Sequence, residues 1–206
     1  MSRYGDAVTV VLVTGMSGTG KSAALAELAR RAHRVVDTDY GGYSEEVPCS
    51  DPGGWEQLWR EDRIEAMLDG HDDGVLFISG CVSNQGKFYP CFDAVVLLTA
   101  PADVIFERLA RRESNAFGKR DAERERILDD LANVEPLLRT GATAEIDTCT
   151  PLDEVVDALE RIADGVRHRS RRGHRSAGRP LLRLGCQPNC VTAVDAHSTP
   201  DLRGAR

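Results

Sequence analysis

The octapeptide Gly15-Met16-Ser17-Gly18-Thr19-Gly20-Lys21-Ser22 stands between two patterns. Before it runs the apolar segment Val8-Thr9-Val10-Val11-Leu12-Val13. After it, Leu25, Leu28, Ala29 and Ala32 recur at i, i+3, i+4 and i+7, the spacing of an amphipathic helix. Strand, glycine loop and helix in that order form the context of a phosphate-binding loop. Gly15, Gly18 and Gly20 allow a tight backbone whose N–H groups point inward, and Ser17 and Thr19 complete the cradle. The helix start adds its partial positive charge. In such a loop Lys21 reaches the β- and γ-phosphates, and the Ser22 hydroxyl is offered to Mg²⁺.

Outward from this loop, four more short strands are expected at 34–37, 74–79, 94–98 and 143–147. They alternate with helices at 55–70, 101–112 and 151–165, and with one carrying Ile127, Leu131, Val134 and Leu138, which Pro136 should kink or restart. A loop is expected over 40–54 and a polar crossover over 83–89. This alternation predicts an α/β fold of three layers, an open five-stranded parallel sheet with helices on both faces. Ligands of such sheets sit at the carboxyl ends of the strands. Asp37, Asp39, Ser79, Gly80 and Cys81 should gather there beside the phosphate loop.

The chain of 206 residues has 41% hydrophobic and 29% charged residues, within the range of a soluble protein. No apolar run approaches the roughly 20 residues of a membrane span. The start of the chain shows no apolar signal segment, so a cytoplasmic protein is expected. The net charge of −7 is uneven. Residues 166–206 carry nine Arg against Asp195 and Asp201, which leaves the first 165 residues at −14. The expected division is a nucleotide-binding domain over 1–165 and a basic, disordered tail over 166–206. The acidic body argues against a broad nucleic-acid surface, while the tail allows weak nucleic-acid contact. The four cysteines of the body, Cys49, Cys81, Cys91 and Cys149, have no zinc spacing and are expected to be reduced thiols, while the spacing of Cys186 and Cys190 allows metal binding or a disulfide.

A phosphate loop serves many chemistries. No Asn-Lys-x-Asp guanine-reading motif is present, and the 74–79 strand ends without the acidic pair of motor ATPases. A small phosphoryl-transfer enzyme remains. It needs a carboxylate for Mg²⁺, assigned to Asp37, and a group to orient the attacking hydroxyl, assigned to Asp39. Charge on the moving phosphoryl group calls for arginine. The cation-rich segment 108–120 suits a lid, with Arg112 and Arg120 ahead of Arg108 and Arg111. Arg60 and Arg63 are candidates to grip an anionic substrate group.

These residues resemble the small P-loop kinases of the shikimate kinase and gluconate kinase type, within the nucleoside monophosphate kinase fold. The resemblance rests on the loop Gly15 to Ser22, on Asp37-Thr38-Asp39, on Val95-Val96-Leu97-Leu98 followed by Pro101 and Arg108 to Arg112, and on Glu145-Ile146-Asp147-Thr148. It implies sheet order 2-3-1-4-5, MgATP as phosphoryl donor, a mobile lid and a small hydroxyl-bearing acceptor. It also implies the first Asp of the pair for magnesium and the second for substrate. Ser79-Gly80-Cys81 replaces the three glycines of shikimate kinases, so substrate identity does not carry over. Lys87 is a candidate substrate contact.

The expected activity is an ATP-dependent kinase of a small metabolite, acting as a monomer or homodimer without membrane partners. A nucleoside or nucleotide kinase, a polynucleotide 5′-hydroxyl kinase and a nucleotide-sensing regulatory ATPase are the alternatives.

Overall fold

The computed structural model describes residues 8–49, 54–112, 118 and 120–173. Five strands form one parallel sheet: β1 (Thr9–Thr14), β2 (Arg34–Asp37), β5 (Val75–Ser79), β6 (Ala94–Thr99) and β7 (Ala144–Asp147). Their spatial order is β2-β5-β1-β6-β7, so the strands of this sheet, counted along the chain, lie in the order 2-3-1-4-5. Every pairing is parallel.

Every residue of β1 is buried, which explains why its sequence is apolar without alternation: both faces of a central parallel strand are covered. Val11 and Val13 face α1 (Lys21–Arg30) and α6 (Leu152–Gly173), packing with Leu25, Leu28, Val156 and Leu159. Val10 and Leu12 face the opposite layer, with Ile64 of α2 (Glu61–Asp69) and Phe88 of a 3₁₀ helix (Gln85–Cys91). Full burial of each such side chain is worth about 1.5–3 kcal/mol, so the sheet centre is the most strongly held part of the fold.

Three segments differ from the sequence expectation. In place of the expected loop and helix start, β3 (Ser44–Pro48) pairs antiparallel with β4 (Trp55–Trp59), and the helix expected from Trp55 begins only at Glu61. Trp59 is responsible: its ring is 1% exposed against Phe88, and the backbone N–H of Arg60 bonds to the Tyr43 carbonyl, closing the hairpin. The acidic pair Glu61-Asp62 then occupies the first helical turn, where the dipole favours it. The polar crossover contains the 3₁₀ helix, with Gln85 buried against the Thr14 hydroxyl.

The final helix does not stop near Gly165 but continues to Gly173. Val166 explains this. It extends the stripe of Val155, Leu159 and Ala163 and is buried in the same core, so the expected boundary at 165 falls inside a helix. The expected disordered tail lies, from residue 174 onward, outside the described residues. At Pro136 the chain does restart, with α4 (Asp121–Asn133) followed by α5 (Glu135–Gly141). Cys49, Cys81 and Cys149 are free thiols, as expected, whereas Cys91 is disulfide-bonded. Among the described residues no helix is long and apolar enough to cross a membrane.

Candidate active site

The loop between β1 and α1 packs so closely that glycine is required. A Cβ on Gly15, where φ is 145°, would overlap the Leu98 carbonyl oxygen at the end of β6. A Cβ on Gly18, at φ 87°, would meet Ile105 of α3 (Ala102–Arg111) at 2.9 Å. The loop is thus shaped by its neighbours as well as by its own sequence. Thr19 is fully buried, and its hydroxyl donates to the Met16 carbonyl at 2.8 Å. Its side chain therefore braces the loop from inside. Lys21 Nζ donates to the carbonyls of Gly15 (2.6 Å) and Met16 (3.1 Å), which holds the ammonium over the mouth of the loop.

Asp37 closes β2, and the Ser22 hydroxyl donates to its Oδ2 at 3.4 Å. The two expected metal-side residues therefore meet. Asp37 Oδ1 also accepts from the Asp39 backbone N–H at 3.2 Å. Strand alternation would place residues i and i+2 on the same face. Asp37 and Asp39 nevertheless have different surroundings, because the strand ends at Asp37 and a turn carries Asp39 away.

Thr38, between them, anchors that turn and escapes sequence reasoning. It is wholly buried. Its backbone N–H and its hydroxyl both donate to the Ser79 carbonyl, at 2.9 and 2.7 Å, and its Oγ1 accepts from Trp59 Nε1 at 2.8 Å. Gly80 makes this clamp possible, since a Cβ there would overlap Thr38 Oγ1 and press on the Trp59 ring. The sequence shows only a Thr between two Asp and, separately, a tryptophan at position 59.

Two cavities adjoin the loop. The first, about 540 Å³, is lined by Ser17, Gly18, Gly20, Lys21 and Ser22, by Arg108 and Arg112, and by Thr148, Thr150 and Leu152 at the start of α6. The second, about 570 Å³, is lined by Met16, Cys81, Trp55, Glu46, Glu56, Gln57, Arg126, Ile127 and Asp130. Ser17, Lys21 and Asp39 line both. Burial, reinforced by the charge of Asp37, pushes the Asp39 carboxyl above the ordinary aspartate value, and Lys21 opposes the shift.

Arg112 lines the first cavity with Nε and Nη2 buried and without a hydrogen-bond partner. A buried guanidinium left unpaired is costly, and an anion in the cavity would satisfy it. Arg108 is instead tied to Thr148, donating to its hydroxyl at 2.8 Å and its carbonyl at 2.6 Å. Arg111 pairs with Glu107 on the surface. Arg120 is not brought to the cavities. It is exposed at the N-cap of α4, where its backbone N–H donates to Glu123 Oε2 at 3.2 Å. Six of the thirteen residues of the expected lid, 113–117 and Lys119, lie outside the described residues.

Arg60, Arg63 and Lys87 also stay away from both cavities. Arg60 pairs with Asp62 at 3.4 Å, Arg63 donates to the Gly41 carbonyl at 3.2 Å and stacks over Tyr43, and Lys87 pairs with Glu61 at 2.5 Å.

A family model described as an AAA domain matches residues 11–129, from the first strand through the loop, the Asp pair and the arginines of α3 into α4. The chain belongs to the AAA domain family. Solved structures resemble this AAA-domain protein along most of its length. A shikimate kinase from Bacteroides thetaiotaomicron superposes with a TM-score of 0.53 at 18% identity, covering 76% of this chain and 98% of that one. A shikimate kinase from Acinetobacter baumannii, in complex with shikimate, gives 0.49 at 16% identity, over 80% of this chain and 96% of that one. A sugar kinase from a Janibacter species gives 0.48 at 19% identity, over 78% and 98%. At these identities the likeness is one of fold, and the first of the three carries it. No curated protein matches the chain.

Proposed function

We propose that this AAA-domain protein is an ATP-dependent phosphotransferase that moves the γ-phosphoryl group to a hydroxyl of a small metabolite. One observation carries the proposal: Lys21 and Asp39 line both cavities, so a phosphate held by the loop and a hydroxyl in the second cavity would meet between them. The first cavity then takes the nucleotide and the second the acceptor.

In the reaction, a bond forms from the acceptor oxygen to the γ-phosphorus as the bond from that phosphorus to the β–γ bridging oxygen breaks. The acceptor proton passes to Asp39, and ADP leaves. Asp39 suits the role because its raised affinity for a proton makes it a better base than an exposed aspartate. Lys21, the loop N–H groups and Arg112 stabilise the charge spread over the transferred phosphoryl oxygens. Ser17, Gly18 and Gly20 supply the cradle beside them.

The Ser22 hydroxyl and the Asp37 carboxylate are neighbouring hard oxygens and fit a magnesium ion. Among the described residues no cluster of three or more His, Cys, Asp or Glu is set up to hold a metal alone. Magnesium with a nucleotide needs none, since it takes one or two protein oxygens and completes its shell with phosphate and water. Bound there, it would neutralise charge on the β- and γ-phosphates.

The proposal places the protein in the cytoplasm, as a monomer or homodimer, with catalysis in the folded domain. Residues 174–206 lie outside the described residues and are assigned weak contact with nucleic acid at most. The test is ADP release by the full chain with MgATP against shikimate, gluconate, nucleosides, nucleoside monophosphates and short 5′-hydroxyl RNA. Stimulation by one acceptor, lost in Lys21→Ala, is the expected result. A flat response with clear ATP binding would instead make the protein a nucleotide sensor.

A further inference from the structure

The second cavity has a chemical character of its own. Four carboxylates line it: Asp39 after β2, Glu46 and Glu56 on the hairpin, and Asp130 on α4. Among the described residues none of the four makes a salt bridge, although Glu61, Glu107 and Asp62 on the surrounding surface do. The cavity has two cations. Lys21 is committed to the phosphate loop, which leaves Arg126 facing four negative groups. On the hairpin Glu46 pairs with Gln57 and Pro48 with Trp55, so Glu46 and Trp55 share one face, while Glu56, paired with Val47, is on the other. The Trp55 ring beside Glu46 is 60% exposed, a large aromatic surface with no core to cover.

A carboxylate-bearing acceptor would enter this cavity against an unfavourable field and would find one arginine. The other candidate cations, Arg60, Arg63 and Lys87, are engaged elsewhere. A cationic acceptor meets the opposite situation, with several unpaired carboxylates and an aromatic face able to hold an ammonium group. The cavity volume of about 570 Å³ accommodates one or two sugar-sized rings.

We infer that the phosphoryl acceptor is a hydroxylated amine, of the amino-sugar or aminocyclitol class, whose ammonium group is held by Glu46 and Trp55 while its hydroxyl is presented to Asp39. The inference rests on the phosphotransferase reading and names the substrate class of that same site. The transfer is the one described above: the hydroxyl oxygen gains the phosphoryl group, Asp39 gains the proton, and the ammonium takes no part in bond making.

The experiment uses the full chain, MgATP and matched acceptors differing in charge: glucosamine, glucose and gluconate, then 2-deoxystreptamine, myo-inositol and shikimate. ADP release should be stimulated by the amine of each series, with kcat/KM at least about tenfold above the neutral and acidic members. The variant Glu46→Gln should lose about tenfold of that preference through KM for the amine, with KM for ATP unaltered. Glu46 lies on the hairpin outside the main core, and an unchanged melting temperature will show that the variant folds. Stimulation by sugars, acids or nucleosides with no advantage for the amine overturns the inference and leaves the phosphotransferase intact. Binding of MgATP with no stimulation by any acceptor overturns the phosphotransferase, and the inference with it.

Discussion

Trp59 Nε1 donates a 2.8 Å hydrogen bond to Thr38 Oγ1, and this buried contact sets the direction of the two aspartates on either side of Thr38. The hydroxyl in turn donates to the Ser79 carbonyl at 2.7 Å, so hairpin, turn and central sheet are joined through one atom. The replacement Trp59→Phe keeps the apolar ring and removes the donor. It should destabilise the protein by about 1–2 kcal/mol and lower kcat more than it raises KM for ATP. Chemical denaturation and steady-state ADP release check both halves.

Lys21→Ala removes the ammonium that spans the two cavities. Turnover should fall by at least about 10²-fold, because a charge placed at the transferred phosphoryl group acts chiefly in the transition state. The contacts of Lys21 are with loop carbonyls on one side of the core, so circular dichroism should show an unaltered fold.

Asp39→Asn should lower kcat by about 10²–10⁴-fold with ATP affinity nearly unchanged. It should also stabilise the nucleotide- and magnesium-free protein at neutral pH. Burial and Asp37 raise the folded-state carboxyl above its unfolded value, so the ionised form is disfavoured in the fold. That cost is absent below the unfolded aspartate range, grows as pH rises through it, and is complete above the raised folded value. Melting temperatures of the two proteins should therefore coincide in acid and separate, with the variant higher, at pH 7. Identical curves at every pH would mean that the environment of Asp39 does not oppose its charge.

Arg112 has buried nitrogens without partners, unlike Arg108, whose guanidinium is tied to Thr148. The two should respond oppositely. Arg112→Ala should leave the nucleotide-free protein at least as stable as the parent, since a buried unpaired cation is removed, while weakening ATP binding or turnover at least about tenfold. Arg108→Ala should cost about 1–3 kcal/mol of stability, through the loss of two hydrogen bonds from a charged donor. Calorimetry and nucleotide titration distinguish the pair.

Ending the chain after Gly165 should weaken the fold relative to ending it after Gly173. Val166 is buried with Val155, Leu159 and Ala163, and losing one such side chain costs about 1.5–3 kcal/mol. Urea midpoints of the two truncated proteins measure this directly.

The phosphate loop, the five parallel strands and the two-faced burial of β1 were legible in the sequence. They are local: a glycine pattern between an apolar run and a helical stripe has few other solutions, and a strand buried on both faces must be apolar throughout. The pairing of Ser22 with Asp37 and the central place of Asp39 also followed from strand ends converging at one edge of the sheet. The hairpin at Ser44–Pro48 and Trp55–Trp59 did not. Its short strands pair only with each other, and the tryptophan that reads as one face of a helix is held in place by Phe88 and Thr38, far along the chain or across the sheet. Arg120 could not be separated from Arg112 by composition, since a capping arginine and a phosphate-facing arginine look alike until the helix start is fixed. The sequence by itself determined what can bind at the loop, because that depends on neighbouring residues. The tertiary structure alone decided how the second cavity is lined: Asp39, Glu46, Glu56 and Asp130 come from separate segments and stand around one cavity only where the fold brings them together.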